Sequence, residues 1–329
     1  MPQYQRTLKS AIELSGKEPL GGNYVKIKVS PAPTNVGIWF MAEDKRVKAC
    51  LANAKASHCS TKIKNNEMSV LNSEHLLATL KAYGISNAII SIKTDYSRSR
   101  RVFRSLGIER NTFIIPYFAP ELEKRVCEKI ESVGLAEQNT KRQTYRLDRK
   151  IETPEKIPKL TFEPIEGENL IFKVITDYPV IGEQEVSITI TPESYKTIAN
   201  ARSYNKHFRG EKVFKRGPGK TIPRFLASFL PVDTCGNVLA KYLCYPWFGL
   251  DHGFSRETNF LAPSTKEEWL KQERMPAEIA CHSVIDGLGA VSLLEYNLIG
   301  TKITCHFGAH RDYIRLLQAN LDKFKAVQD

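Results

Sequence analysis

The chain contains no CxxC pair; its seven cysteines stand alone at 50, 59, 127, 235, 244, 281 and 305. An odd, scattered set argues against a disulfide framework and points to a reducing cytoplasm. No apolar run reaches the length that crosses a bilayer, and the opening Met1-Pro-Gln-Tyr-Gln-Arg6 does not resemble a secretion signal. Gly217-Pro218-Gly219-Lys220-Thr221 falls short of a phosphate loop, because Phe214 holds the earlier glycine position and no strand leads in. RNP, KH and zinc-finger spacings are missing too. The cations are not regularly interleaved with aromatics, so nucleic acid is not the expected partner.

What the chain does have is positive charge, +12 net over 329 residues. It gathers in three clusters: Arg98 to Arg104, Lys141 to Lys150, and Lys206 to Lys220. Phosphorylated ligands or proximity to an anionic membrane surface suit such clusters, and a solvated basic face is the plain alternative for each. The length suits two domains. No oligomeric state is legible in it.

Tyr24 to Val29 alternates with period two and stops at Pro31-Ala32-Pro33, as a strand does. Gly37 to Phe40 reads as a second strand. Asn72 or Ser73 is placed to cap a helix running to about Tyr83, with Gly84 as its stop. Ala88 to Ile92 is a strand, and Pro120 to Val133 a helix. The polar, basic stretch from Glu137 to Lys150 predicts a domain boundary, dividing the chain into 1–140 and 141–329. Strands then follow at Leu170–Ile175 and Val186–Ile190, and a helix opens at Pro192 and runs through Ala201. Asn205 to Lys271 reads as irregular, and an irregular segment of that length is usually functional. A helix from Pro276, a strand from Ile299 to Cys305 and a helix from His310 to about Lys325 complete the chain. In each half a helix near the candidate residues precedes a strand, so the pattern predicts a diverged internal duplication.

The candidate chemistry lies in two motifs about two hundred residues apart, Glu74-His75 and His282-Ser-Val-Ile-Asp286. Two His and one Asp form a frequent ligand set for catalytic zinc, with a fourth position open to water. His282 and Asp286 share one helix face, being one turn apart. In isolation, His-x-x-x-Asp arises by chance and often marks a surface ion pair. Glu74 and His75 diverge by about 100° on a helix, which suits imidazole on a metal and carboxylate on its water. His310 adds a spare imidazole. His58, His207, His252 and His306 have no ligand-spaced partner.

With their surroundings, these residues resemble the UDP-3-O-acyl-N-acetylglucosamine deacetylases of lipid A biosynthesis. The resemblance runs from Gln5-Arg6-Thr7-Leu8 through Pro31-Ala32-Pro33-x-Asn35-x-Gly37-Ile38 and Glu74-His75-Leu76. It returns at Ala201-Arg202-Ser203-Tyr204, His282-x-x-x-Asp286-x-x-Gly289, Gly300 and His310. It implies an α+β fold of two similar domains, each a β-sheet layered with helices, with the active site between the helical layers. It implies Zn²⁺ on His75, His282 and Asp286, Glu74 as general base, His310 as general acid, and Ser203 beside the oxyanion in place of a family Thr. The implied substrate is a UDP-linked acylated amino sugar. Three positions depart from the family. Ser283 replaces a Lys that contacts the nucleotide, Lys93 to Arg98 lacks a Pro-x-x-Asp-Gly-Ser run, and Tyr204-Asn205 replaces Phe-Gly. A non-catalytic homologue that binds or regulates is the alternative reading.

Overall fold

A computed structural model describes residues 3–18, 23–55, 60–94, 109, 111–116, 122–156, 159–178, 180–204, 259–260, 265–308 and 310–327. Two five-stranded sheets dominate it. The first is built from β1 (Ile12–Lys17), β2 (Tyr24–Pro31), β3 (Ile38–Ala42), β4 (Lys45–Lys48) and β5 (Ala88–Thr94), in the order β1-β2-β5-β3-β4. The second is built from β6 (Ile151–Glu152), β7 (Lys159–Pro164), β8 (Leu170–Tyr178), β9 (Gly182–Thr189) and β10 (Thr301–His306), in the order β6-β7-β10-β8-β9. The two orders are the same path drawn twice. In each sheet the last strand enters the middle, antiparallel to the second strand and parallel to the third.

Each sheet buries one face, as period-two patterning requires. Val25, Ile27 and Val29 point inward from β2, and Leu170, Phe172 and Val174 from β8. Helix α1 (Glu74–Ala82) leads into β5, and α2 (Leu122–Val133) follows it. In the second half lie α3 (Pro192–Ile198), α4 (Lys266–Gln272), α5 (Glu278–Ser292) and α6 (His310–Ala319). All nine residues of α1 are buried, and so are most of α5. Helices apolar or buried around their whole circumference belong in the middle of a structure. Here they pack on each other, and α5 also lies against β8 and β9 of the second sheet, in keeping with the α+β layering that the resemblance implies.

One glycine sets how closely they pack. A Cβ at Gly289 would lie 2.8 Å from both Cα and C of Glu74, so α5 rests directly on the main chain of α1. Further links cross between the halves. Lys81 Nζ donates to the Tyr296 carbonyl at 2.7 Å, the Thr79 and Tyr195 hydroxyls are 3.0 Å apart, and Gln318 Nε2 donates to the carbonyls of Leu51 and Ala54. Among the described residues no helix is long and apolar enough to cross a membrane.

The first motif of the resemblance is a polar staple. Gln5 Nε2 donates to Asn35 Oδ1 at 2.7 Å and Gln5 Oε1 accepts from Asn35 N at 2.9 Å, while Asn87 Oδ1 accepts the Gly37 N–H at 2.8 Å. These bonds hold a turn in which Asn35 and Gly37 both have positive φ.

Several elements differ from expectation. The polar stretch 137–150 is largely two strands: Leu135–Lys141 pairs with Tyr4–Leu8, and Thr144–Leu147 pairs with Asn297–Ile299 and Phe324–Ala326. The expected strand 299–305 is two strands divided at Gly300, whose φ is +56°. Helix α6 stops at Ala319 rather than near Lys325, because Phe324–Ala326 is drawn into strand pairing. Part of the expected irregular segment is helical: α4 opens at Thr265, whose side chain accepts the Glu268 N–H at 3.1 Å. Most of the remainder of 205–271, including the basic cluster Lys206 to Lys220, lies outside the described residues, as do His58, His207, His252 and residues 95–98.

Candidate metal centre

His75 stands on the first turn of α1 and His282 and Asp286 on successive turns of α5, so the close helix crossing brings both motifs to one place. One ligand atom from each of the three lies within 4.8 Å of the others. His75 Nε2 is 3.3 Å from Asp286 Oδ1, and His282 Nε2 is 3.6 Å from Asp286 Oδ2. The two imidazole rings are 4.8 Å apart between centroids. Donors arranged tetrahedrally about 2.0–2.2 Å from an ion stand roughly 3.3–3.6 Å apart, so these separations suit a cation held between them. Among the described residues, Asp286 Oδ1 is also a buried carboxylate oxygen without a hydrogen bond of good geometry, with His75 Nε2 facing it at 3.3 Å. Such a group is costly unless a charge compensates it, and the donor set therefore fits zinc.

The electrostatics agree. Burial works against the charge of Asp286, but the imidazoles of His310, His282 and His75 outweigh it and hold the carboxyl well below the usual range. Burial likewise disfavours the imidazolium of His75, but Glu123 and Asp286 outweigh it and hold that ring well above the usual histidine range. A site this rich in negative charge attracts a cation, whether a proton or a metal.

Each ring is braced from behind. His75 Nδ1 bonds Oε1 of Glu123 on α2, and both side chains are buried. His282 Nδ1 bonds the Ala201 carbonyl at 3.1 Å. That carbonyl is held in turn by a buried ion pair at the next residue. Arg202 donates from its main-chain N and from Nε to Glu278 Oε1, at 2.9 and 2.8 Å, and from Nη2 to Oε2 at 3.1 Å. Glu278 is wholly buried at the start of α5. It also accepts the Arg274 N–H at 2.8 Å.

The other candidates fall around this centre. His310, at the start of α6, presents Nε2 to Asp286 Oδ2 at 3.6 Å, and its Nδ1 is buried without a partner among the described residues. Asp312, two positions beyond His310, has its Oδ1 3.5 Å from Arg311 Nε. Glu74 is buried, and its Oε2 accepts the Thr61 N–H at 3.0 Å. Ser73 ties the same loop, donating to the Thr61 carbonyl at 3.5 Å rather than capping α1 with its side chain. Ser203 lies in the short strand Ser203–Tyr204 beside Asn259–Phe260, directly after Arg202; its side chain is outside the described residues. Ser283 turns its hydroxyl back onto the Ile279 carbonyl at 3.1 Å.

Sequence reasoning missed Glu123, the Ala201 carbonyl and the Arg202–Glu278 pair. Glu123 is 48 positions from His75 and Ala201 is 81 from His282, so no local spacing marks them. Arg202 was visible only as part of a longer motif.

Comparison with known proteins gives a consistent set of similarities. The family model described as UDP-3-O-acyl N-acetylglycosamine deacetylase matches residues 5–96 and 124–221, more than half of the chain. The UDP-3-O-acyl-N-acetylglucosamine deacetylase of Wolinella succinogenes is 25% identical over 310 residues, covering 93% of this chain and 87% of the relative. That of Helicobacter hepaticus is 24% identical over 310 residues, 93% and 86%. That of Thermodesulfovibrio yellowstonii is 24% identical over 318 residues, 96% and 91%.

Proposed function

The chain belongs to the UDP-3-O-acyl N-acetylglycosamine deacetylase family and is a hydrolase of that kind, and on this premise we propose that it is a zinc-dependent N-deacetylase acting on a UDP-linked acylated N-acetylglucosamine, early in lipid A biosynthesis. The observation that carries the metal part is the convergence of His75, His282 and Asp286, which offer one ligand atom each within 4.8 Å of one another. The substrate part rests on the names of relatives that align over nearly the whole chain.

His75, His282 and Asp286 hold the zinc in this reading. When bound, zinc supplies a Lewis acid and lowers the pKa of its water to about 7. Glu74 takes a proton from the attacking water on a carboxylate oxygen as the new C–O bond forms. Its neighbour Thr61 fixes the carboxylate through a main-chain N–H. The hydroxyl of Ser203 donates to the developing oxyanion, a contact of a type whose loss costs about 10²–10³ in rate. His310 delivers a proton to the amine nitrogen as the C–N bond breaks, and the Asp286 carboxylate faces its ring at 3.6 Å. Acetate and a free amine leave.

The reading includes two domains, 1–140 carrying Glu74 and His75, and 141–329 carrying Ser203, His282, Asp286 and His310, with the site between α1 and α5. Strand pairing supports that division, since Leu135–Lys141 joins Tyr4–Leu8 while Thr144–Leu147 joins Asn297–Ile299. A reducing cytoplasm is the proposed location; the four described cysteines are all free and buried. The non-catalytic alternative is not favoured, since the relatives are named as deacetylases.

Acetate release from the UDP-linked acylated sugar tests the proposal. Glu74→Ala and His310→Ala are each expected to lower the rate by about 10²–10⁴-fold. A zinc-loaded protein that releases no acetate, or variants as active as the parent, would overturn it.

A further inference from the structure

The His75 ring has unlike neighbours on its two nitrogens. Nε2 looks into the centre, 3.3 Å from Asp286 Oδ1. Nδ1 meets Oε1 of Glu123, which comes from α2, outside both metal-type motifs. An ionised carboxylate can only accept, so when the neutral ring bonds Glu123 the proton must sit on Nδ1 and the lone pair on Nε2. His282 reaches the same state by another route, because its Nδ1 bonds the Ala201 carbonyl, which also can only accept. Both rings thus turn the same nitrogen toward the space beside Asp286, and in their neutral forms that nitrogen carries the lone pair.

We propose that Glu123 is a positioning residue for the metal centre, holding His75 in the Nδ1–H tautomer at a fixed ring angle so that Nε2 is free to bind the cation shared with His282 and Asp286. The inference rests on the metal reading above and deepens it. Burial strengthens the case. Glu123 is 6% exposed, and desolvating a carboxylate is costly unless a strong donor meets it. The ring N–H is such a donor, and a carboxylate behind a metal-bound imidazole both orients the ring and raises its basicity. A merely structural ion pair between Glu123 and a protonated His75 makes the opposite demand, since it needs the proton on Nε2 that a metal would displace.

The test is zinc affinity of the full chain, measured by competition with a chromophoric chelator on wild type, Glu123→Gln and Glu123→Ala. Visible absorption of the Co²⁺-substituted proteins gives a second readout. Glu123→Ala is expected to weaken zinc by about 10–100-fold and to alter the Co²⁺ bands. Glu123→Gln keeps an oxygen that accepts the Nδ1–H, so it is expected to recover the wild-type bands and most of the affinity. Unchanged affinity in both variants overturns the role of Glu123 while leaving the metal reading intact. Equal weakening in both overturns the hydrogen-bond role. A wild-type chain that takes up no zinc overturns the metal reading itself. Melting of the metal-free proteins shows whether the Ala variant folds; if it does not, the isosteric Gln variant decides, and Gln bands unlike those of wild type count against the proposal.

Discussion

His75 and His282 turn the same ring nitrogen toward Asp286, yet the two halves of the molecule brace them differently. In the first half one carboxylate touches the ring directly. In the second the contact is a main-chain carbonyl, and a buried Arg202–Glu278 pair holds the segment that offers it. The direct brace runs from side chain to side chain. The relayed brace passes through the backbone, and Glu278 also fixes the entry to α5 through Arg274. One half orients its histidine with a side chain, the other with its architecture.

The sharpest way to break this contrast is Glu278→Ala, which strands a buried guanidinium. Losing one partner of such a pair costs about 3–5 kcal/mol, read by denaturant melting of the metal-free chain. A loss under about 1 kcal/mol would show that the 201–203 segment is held by something else. Gly289→Ala should cost about 1–3 kcal/mol by overpacking against Glu74, despite the better helix propensity of alanine. Because it pries α1 from α5, it should also weaken zinc binding. Wild-type zinc affinity in a destabilised Gly289→Ala protein would mean that the helix crossing does not set the site.

The smallest effect concerns Lys81, which reaches from the first half to the Tyr296 carbonyl. Burial, with Arg142 nearby, holds this amine well below the usual lysine range. An unfolded lysine titrates near 10.4, so between the folded pKa and that value the unfolded chain binds more protons, and stability gained from Lys81 rises with pH. The stability difference between wild type and Lys81→Met should therefore move in favour of wild type as the pH rises toward the titration of the unfolded lysine. A difference that is flat with pH would show that the folded protein leaves Lys81 with its normal titration.

The same contrast explains what could be read beforehand. Helices α1 and α5 were legible because their chemistry is local: Glu74-His75 at a helix start, His282 and Asp286 one turn apart. The strands β2 and β8 were legible from alternation. What could not be read depends on distant partners. The polar residues 135–147 form strands because Tyr4–Leu8 and Asn297–Ile299 supply the pairing, and Phe324–Ala326 leaves its helix for the same reason. Glu123 looks like any exposed helix-start carboxylate until α2 folds over α1. Ala201 contributes only its carbonyl, which every residue has.

The contact at Gly289 has a consequence for how the protein could be taken apart. Each half has its own complete sheet, yet His75 lies on one side of the crossing and His282 with Asp286 on the other, with no room for a methyl group between the helices. Cleaved into two polypeptides, the halves would still meet across this crossing, and a cation held by His75, His282 and Asp286 would rivet them together.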